Sequence, residues 1–269
     1  MTTHRTDASA AGRLQPRDER GWRRGFVNLL RNEVGAWTQT RTWWVQFAIW
    51  IGILNGLLLL PLVLLRDMFT AEASGPLASG IEMFFTIGAL APSIGIVILT
   101  HGAIITERQL GTAAWVLSKP VSRTAFVLAK FVANALGILV TGVLAPAVIA
   151  YAALSIEHGA PLPAGSFAGA TGLIALTVLF YLSLTIVLGT LLRARGPVLA
   201  VPIVLLLVGD GLVGLWPALA HVGPWLLGRM AMLIAQGMPL LSGWAVLTTA
   251  GLSVAFLALA IWRFGREEF

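Results

Sequence analysis

The sequence predicts an all-α integral membrane protein. Six transmembrane helices follow an amphipathic interfacial helix, and a short cytoplasmic helix joins spans two and three. Three observations carry this reading. Of 269 residues, 57% are hydrophobic and 11% charged, against about 45–50% and 25% in soluble domains. So few charges cannot cover a water-soluble body of this size. Six apolar runs approach or exceed the about 20 residues needed to cross roughly 30 Å of hydrocarbon. Lys and Arg gather on one side of those runs.

Residues 1–21 read as a flexible basic tail. They lack the short apolar core and small-residue cleavage site of a signal peptide, so the first span serves as the membrane address. Trp22–Arg41 reads as the interfacial helix. Trp22, Phe26, Leu29, Leu30, Val34 and Trp37 fall on one arc, with Arg24, Asn28, Arg31 and Asn32 opposite. Glu33 sits inside the apolar arc, where a carboxylate facing lipid is costly. It either docks the helix onto a partner or onto the second connection, or snorkels to the headgroups; docking is preferred.

The spans are expected at Trp43–Leu65, Glu82–Ile105, Phe126–Leu154, Ala168–Leu192, Pro197–Leu219 and Trp244–Trp262, within a single domain of residues 22–269. Gly52 and Gly56 in span one, and Ala91 and Gly95 in span two, permit close helix contact and give weak support for a dimer. Span five contains Asp210 in the stretch LVGDG. An ionisable group there either lines a cavity, binds a cation or carries a proton, or caps a new helical piece at a break marked by Gly209 and Gly211. The cap is preferred. Residues 220–243 alternate short apolar pieces with Pro and Gly. They read either as helices dipping into the outer leaflet or as a surface loop with a few buried residues.

Orientation follows from the cations. Of 18 Lys and Arg residues, only Arg66 and Arg229 fall on the second side of the spans. Positive charge stays cytoplasmic, so both termini are expected inside a bacterial or archaeal cytoplasmic membrane. The same asymmetry accounts for a net charge of +6 as a basic rim beside anionic headgroups, without nucleic acid.

Several chemistries are excluded or weakly supported. With no cysteine there is no disulfide, iron–sulfur cluster, thiolate zinc site or cysteine nucleophile. His4, His101, His158 and His221 form no His-Glu-x-x-His pair. His158 and His221 share the outer side but read as loop residues, and His101 with Glu107 reads as a polar helix end rather than an acid–base pair. Asp210 has no second intramembrane aspartate to share a proton. The only lysines, Lys119 and Lys130, do not follow glycine, so there is no phosphate loop. No catalytic residue, metal site or bound cofactor is expected.

The connection Thr106–Lys130 reads TERQLGTAAWVLSKPVSRTAFVLAK. Thr106 and Gln109 fit a capping box. Gly111 loosens the chain, Thr112 starts a short helix through Leu117, and Pro120 stops it. Ser122 caps the helix that becomes span three. Glu107 and Arg108 then lie at one end of the short helix, Lys119 and Arg123 at the other.

This stretch resembles the permease subunits of type-2 ATP-binding-cassette (ABC) transporters. The matching residues are Glu107-Arg108, Gly111-Thr112, Lys119-Pro120-Val121-Ser122-Arg123 and Lys130. The likeness also takes in the amino-terminal helix with Glu33 and Arg41, and the ending with Arg263, Phe264, Arg266 and Glu268. It implies half of a dimeric exporter, paired with a second copy or a sister permease. A separate ATPase subunit would hold the ATP and magnesium. The short helix becomes a coupling helix, with Glu107, Arg108, Gln109, Gly111, Thr112 and Trp115 touching the ATPase. Glu33 and Arg41 brace the interfacial helix. The alternatives are a gradient-driven carrier using Asp210 or His101, and a membrane assembly factor for secreted or metal-containing enzymes. Substrate identity is not implied.

Overall fold

The computed structural model describes residues 21–71, 74–110 and 121–267. Every regular element among them is helical. Hydrocarbon offers backbone groups no partner, so helices, which satisfy their own, are the expected form. The expected tail lies outside the described residues except at Gly21. So does the core of the expected coupling helix, with Gly111, Thr112, Trp115, Lys119 and Pro120.

In chain order the elements are α1 (Phe26–Thr38), α2 (Trp43–Leu64), α3 (Arg66–Thr70), α4 (Gly75–Thr100) and α5 (Ile105–Gln109). They continue as α6 (Arg123–His158), α7 (Ala164–Leu191), α8 (Arg195–Leu215), α9 (Trp225–Ala235) and α10 (Gly243–Gly265). Five helices are long and apolar enough to cross a membrane: α2, α4 with its continuation α5, α6, α7 and α10. Helix α8 is apolar over Arg195–Gly209 and runs on to Leu215.

Helix α7 is the axle. Of its most apolar stretch 72% is buried, against 22–44% in the other four. It is apolar all round, so it tolerates neighbours on every side, and α4, α9 and α10 pack on it. The first and last described segments, around Arg24 and Glu267, meet the same end of the bundle, here the latch end. At the opposite, loop end, Phe84, Phe85, Tyr151 and Phe167 cluster, mostly edge to face, with ring centroids 5.2–6.4 Å apart. Also at the loop end, Arg66 meets Glu157 at 2.7 and 2.9 Å. The hydrogen bond and charge of Glu157 raise the Arg66 pKa above its ordinary value.

Prolines and glycines shape the packing. Helices α2 and α6 contain π segments at Ile51–Asn55, Leu60–Leu64 and Leu139–Leu144. The second contains Pro61, and the third lies just before Pro146, where a wider turn relieves the clash of the ring with the preceding turn. Gly95 lies under Trp50: a Cβ there would sit 2.3 Å from the indole. Gly52 and Gly56 instead stand in open space on the outside of α2.

Several sequence boundaries are corrected. The interfacial helix does not run unbroken from Trp22 to Arg41. Gly25 takes φ 76°, and helix α1 begins after it and ends at Thr38. Helix α4 begins at Gly75 rather than Glu82, because Glu82 faces a cavity and does not end the apolar run. Helix α8 stops at Leu215 rather than Leu219, since Pro217 disfavours a helical Trp216. The break expected at Asp210 is absent: Gly209, Asp210 and Gly211 are all helical, so Asp210 does not cap a new piece. In an apolar setting a broken turn would orphan backbone groups, whereas glycine in a helix costs only about 1 kcal/mol.

Residues 220–243 contain a true helix. Leu227, Met230 and Ala231 of α9 are fully buried, so this stretch is no surface loop. Eleven residues span about 16 Å, half of the hydrocarbon.

Candidate functional site

Lys130 is the eighth residue of α6, about 10 Å along the helix. Its side chain is 5% exposed. A buried ammonium must find carboxylates, and Lys130 finds two. Its Nζ donates to Glu33 of α1 at 2.8 Å and to Glu107 of α5. It also lies 5.1 Å from the ring centroid of Phe126, which stacks on Phe264 of α10. One cation thus joins three segments far apart in sequence.

Glu33 sits in the apolar arc of α1 because that arc packs on α6 rather than on lipid. Trp37, one turn further, lies against Gly137, where a Cβ would come within 2.5 Å of the indole. Its Nε1 donates to Asn134 at 3.3 Å, and Asn134 Nδ2 donates back to the Lys130 carbonyl at 2.8 Å. The latch is therefore seated on a packed helix pair.

Arg108 forms a second joint. Its guanidinium donates to the carbonyls of Gly189 and Leu192 at 3.2 Å and Thr190 at 3.4 Å, and to Glu267 of the tail. The last carbonyls of a helix have no intrahelical donor and carry partial negative charge. Arg108 supplies both donor and charge to the end of α7. Arg123 does the same for α10, donating to the Gly265 carbonyl at 2.7 Å. Gln109 donates to the Arg193 carbonyl at 3.3 Å.

Ser122 accepts the Ala125 amide at 2.9 Å and so caps α6, while its own amide donates to the Arg24 carbonyl at 3.0 Å. The capping box expected at Thr106 and Gln109 is not formed: α5 begins at Ile105 with no side-chain cap. The turn leaving α4 already supplies acceptors, with the Thr106 amide bonded to the Gly102 carbonyl at 3.0 Å, so nothing is left to cap. Both flanks of residues 111–120 are thereby fixed to the bundle.

The remaining expected residues lie elsewhere. Arg41 is exposed ahead of α2, Asp210 lies on α8, and Glu268 lies outside the described residues. His101 Nδ1 bonds the Ile98 carbonyl of its own helix at 2.7 Å. His221 Nδ1 lies 3.0 Å from Ser242 Oγ, the hydroxyl that caps α10. Among the described residues no group of three or more His, Cys, Asp or Glu is placed to hold a metal ion. The twin carboxylates of Lys130 were missed in sequence. The available signal was an ammonium inside an apolar run, which requires a partner.

A search of curated proteins finds no match. The family model described as ABC-2 family transporter protein matches residues 57–269, from within α2 past Glu107, Arg108 and Lys130 to the tail, leaving Glu33 and α1 outside it. With most of its length matched, the chain belongs to the ABC-2 transporter family and is a membrane permease component of an ABC transporter.

Proposed function

We propose that the chain is the membrane-spanning half of an exporter, driven by a separate ATPase subunit that seats residues 111–120. The carrying observation is the pair of joints on either side of that segment. Glu107 and Arg108 fix its entry to α1, α6, α7 and the tail. Ser122 and Arg123 fix its exit to α6 and α10. A push on the segment would therefore move several helices together, as a motor-driven two-state device requires. In this reading Glu107 and Arg108 position the coupling segment from inside, and Gln109, Gly111, Thr112 and Trp115 meet the ATPase. Glu33 and Arg41 brace α1.

Helix α8 serves as the sixth crossing, since 21 residues reach about 31 Å. An even number of crossings places both termini on the basic, cytoplasmic side. Two copies, or this chain with a sister permease, complete the channel.

Co-purification from native membranes of a phosphate-loop ATPase is the expected result. Gly111→Trp should abolish its binding or its stimulated hydrolysis, and unchanged values for both overturn the coupling assignment. Because the chain has no cysteine, Thr112→Cys gives a single label. An impermeant maleimide should reach it only after the cells are opened; labelling of intact cells overturns the orientation.

A further inference from the structure

A cavity of about 730 Å³ lies between α4, α7, α8 and α9. It falls within the roughly 300–1,000 Å³ of small-molecule sites. Two opposite charges face it, Glu82 from α4 and Arg229 from α9. Neither makes a hydrogen bond or ion pair with the other or with any other described residue. Both residues are exposed, so each charge is met by whatever fills the cavity rather than by the protein. Here both are left pointing into one space.

The walls are built rather than accidental. Glu82, Thr86 and Ala89 share one face of α4 at helical spacing. Helix α9 lies along that face, so close that a Cβ on Gly228 would come 3.0 Å from the Ala89 Cβ. That contact sets Arg229 beside the Glu82 face. Trp225 Nε1 donates to the Leu205 carbonyl of α8 at 3.2 Å, and its indole fills the space left by Gly209, where a Cβ would lie 1.9 Å away. The indole is thus fixed as a wall of the cavity. Leu90, Leu206 and Met232 make much of the remaining lining apolar.

We propose that this cavity binds a zwitterionic amphiphile, its cationic group at Glu82, its anionic group at Arg229 and its apolar part along Trp225 and Leu206. A singly charged ligand would leave the second charge unpaired beside apolar walls. A polar zwitterion without a chain would leave those walls wet. For its role in transport the site rests on the permease reading, but its binding is measured without nucleotide or ATPase. Loss of zwitterion selectivity therefore leaves the coupling assignment standing, and failure to capture an ATPase leaves the binding site standing.

The experiment is native mass spectrometry of the full chain in detergent. Its probes are phosphatidylethanolamine, phosphatidylglycerol, a cationic two-chain ammonium lipid, and a water-soluble single-chain phosphocholine. A zwitterion should bind about tenfold or more tightly than either singly charged lipid, as a charge-assisted pair predicts. The two-chain or single-chain winner identifies a bilayer or a soluble source. Glu82→Gln should erase the preference over the anion and Arg229→Gln the preference over the cation. Equal binding of all four probes, or selectivity unchanged in both variants, overturns the assignment. In the unaltered protein, a photoactivatable zwitterionic lipid should label residues 82–90 and 225–235. Labelling spread evenly over the other helices overturns it as well.

Discussion

Charge is used in opposite ways at two sites in this bundle. At the latch end Lys130 is buried between Glu33 and Glu107, and its charge is met within the chain. At the loop end Glu82 and Arg229 face one cavity and stay apart. A buried ionised group such as Lys130 needs a partner within the chain, whereas exposed ones such as Glu82 and Arg229 can be met from outside. Where the partner is internal, the charge makes a joint. Where it is missing, the charge marks a place for something that arrives. The same residue types therefore signal rigidity in one region and recognition in the other.

The largest effect should come from breaking the joint at its centre. Lys130→Met leaves two carboxylates facing each other with no cation. Truncating one partner of a buried ionic group costs about 3–5 kcal/mol, read as a lowered midpoint of unfolding in detergent. Combining it with Glu33→Gln and Glu107→Gln should recover much of the loss, since a whole buried ionic group is often replaceable by neutral residues. A single variant that unfolds like the parent would show that Lys130 does not hold the joint.

Arg108→Gln comes next. The end of α7 would lose a charged donor and the tail would lose its partner at Glu267. Hydrogen bonds to charged groups contribute about 1.5–3 kcal/mol. The effect should be local, with faster amide exchange in residues 189–193 and in the tail. Unchanged exchange in both places would mean that the tail is held by other contacts.

Long apolar stretches such as α2, α6 and α7 were legible because length and apolar composition are local properties. The joints were not, because their partners are remote. Lys130 lies 97 residues from Glu33, and Arg108 lies 159 from Glu267. A single sequence shows that such residues need partners without showing which. Other errors came from treating punctuation as decisive. Glu82 looked like the edge of a span and is interior to α4. Gly209 and Gly211 looked like a break, yet Gly209 makes room for the Trp225 indole inside a continuous helix. Packing and an apolar surrounding decided both. Helix α9 was legible only as one of two alternatives, because an eleven-residue apolar piece looks the same on a surface and inside a bundle.

Smaller changes sharpen the contrast between the two ends. Ser122→Ala removes the hydroxyl that caps α6 and should cost about 1 kcal/mol, the usual range being about 0.5–2. The same unfolding midpoint measures it. Gly, which frees the helix start from the side chain but tolerates the cap geometry, should cost less than Ala at this position. If Gly and Ala destabilise equally, the hydroxyl acts through something other than the cap.

Arg66→Gln should have the least effect. Arg66 and Glu157 form a two-pronged pair at 2.7 and 2.9 Å. Arg66 nonetheless has a side chain 49% exposed, and exposed pairs gain little because water and salt screen them while two long side chains lose freedom. The Leu62 carbonyl, which also accepts from Arg66 at 3.0 Å, can turn to water at the helix end. The midpoint of unfolding should therefore stay at the parent value at moderate salt. A fall as large as that of Lys130→Met would mean that the ends of α2 and α6 are clamped as firmly at the loop end as at the latch end. The division between a fixed end and a receptive end would then fail, because both ends would be held by internal charge.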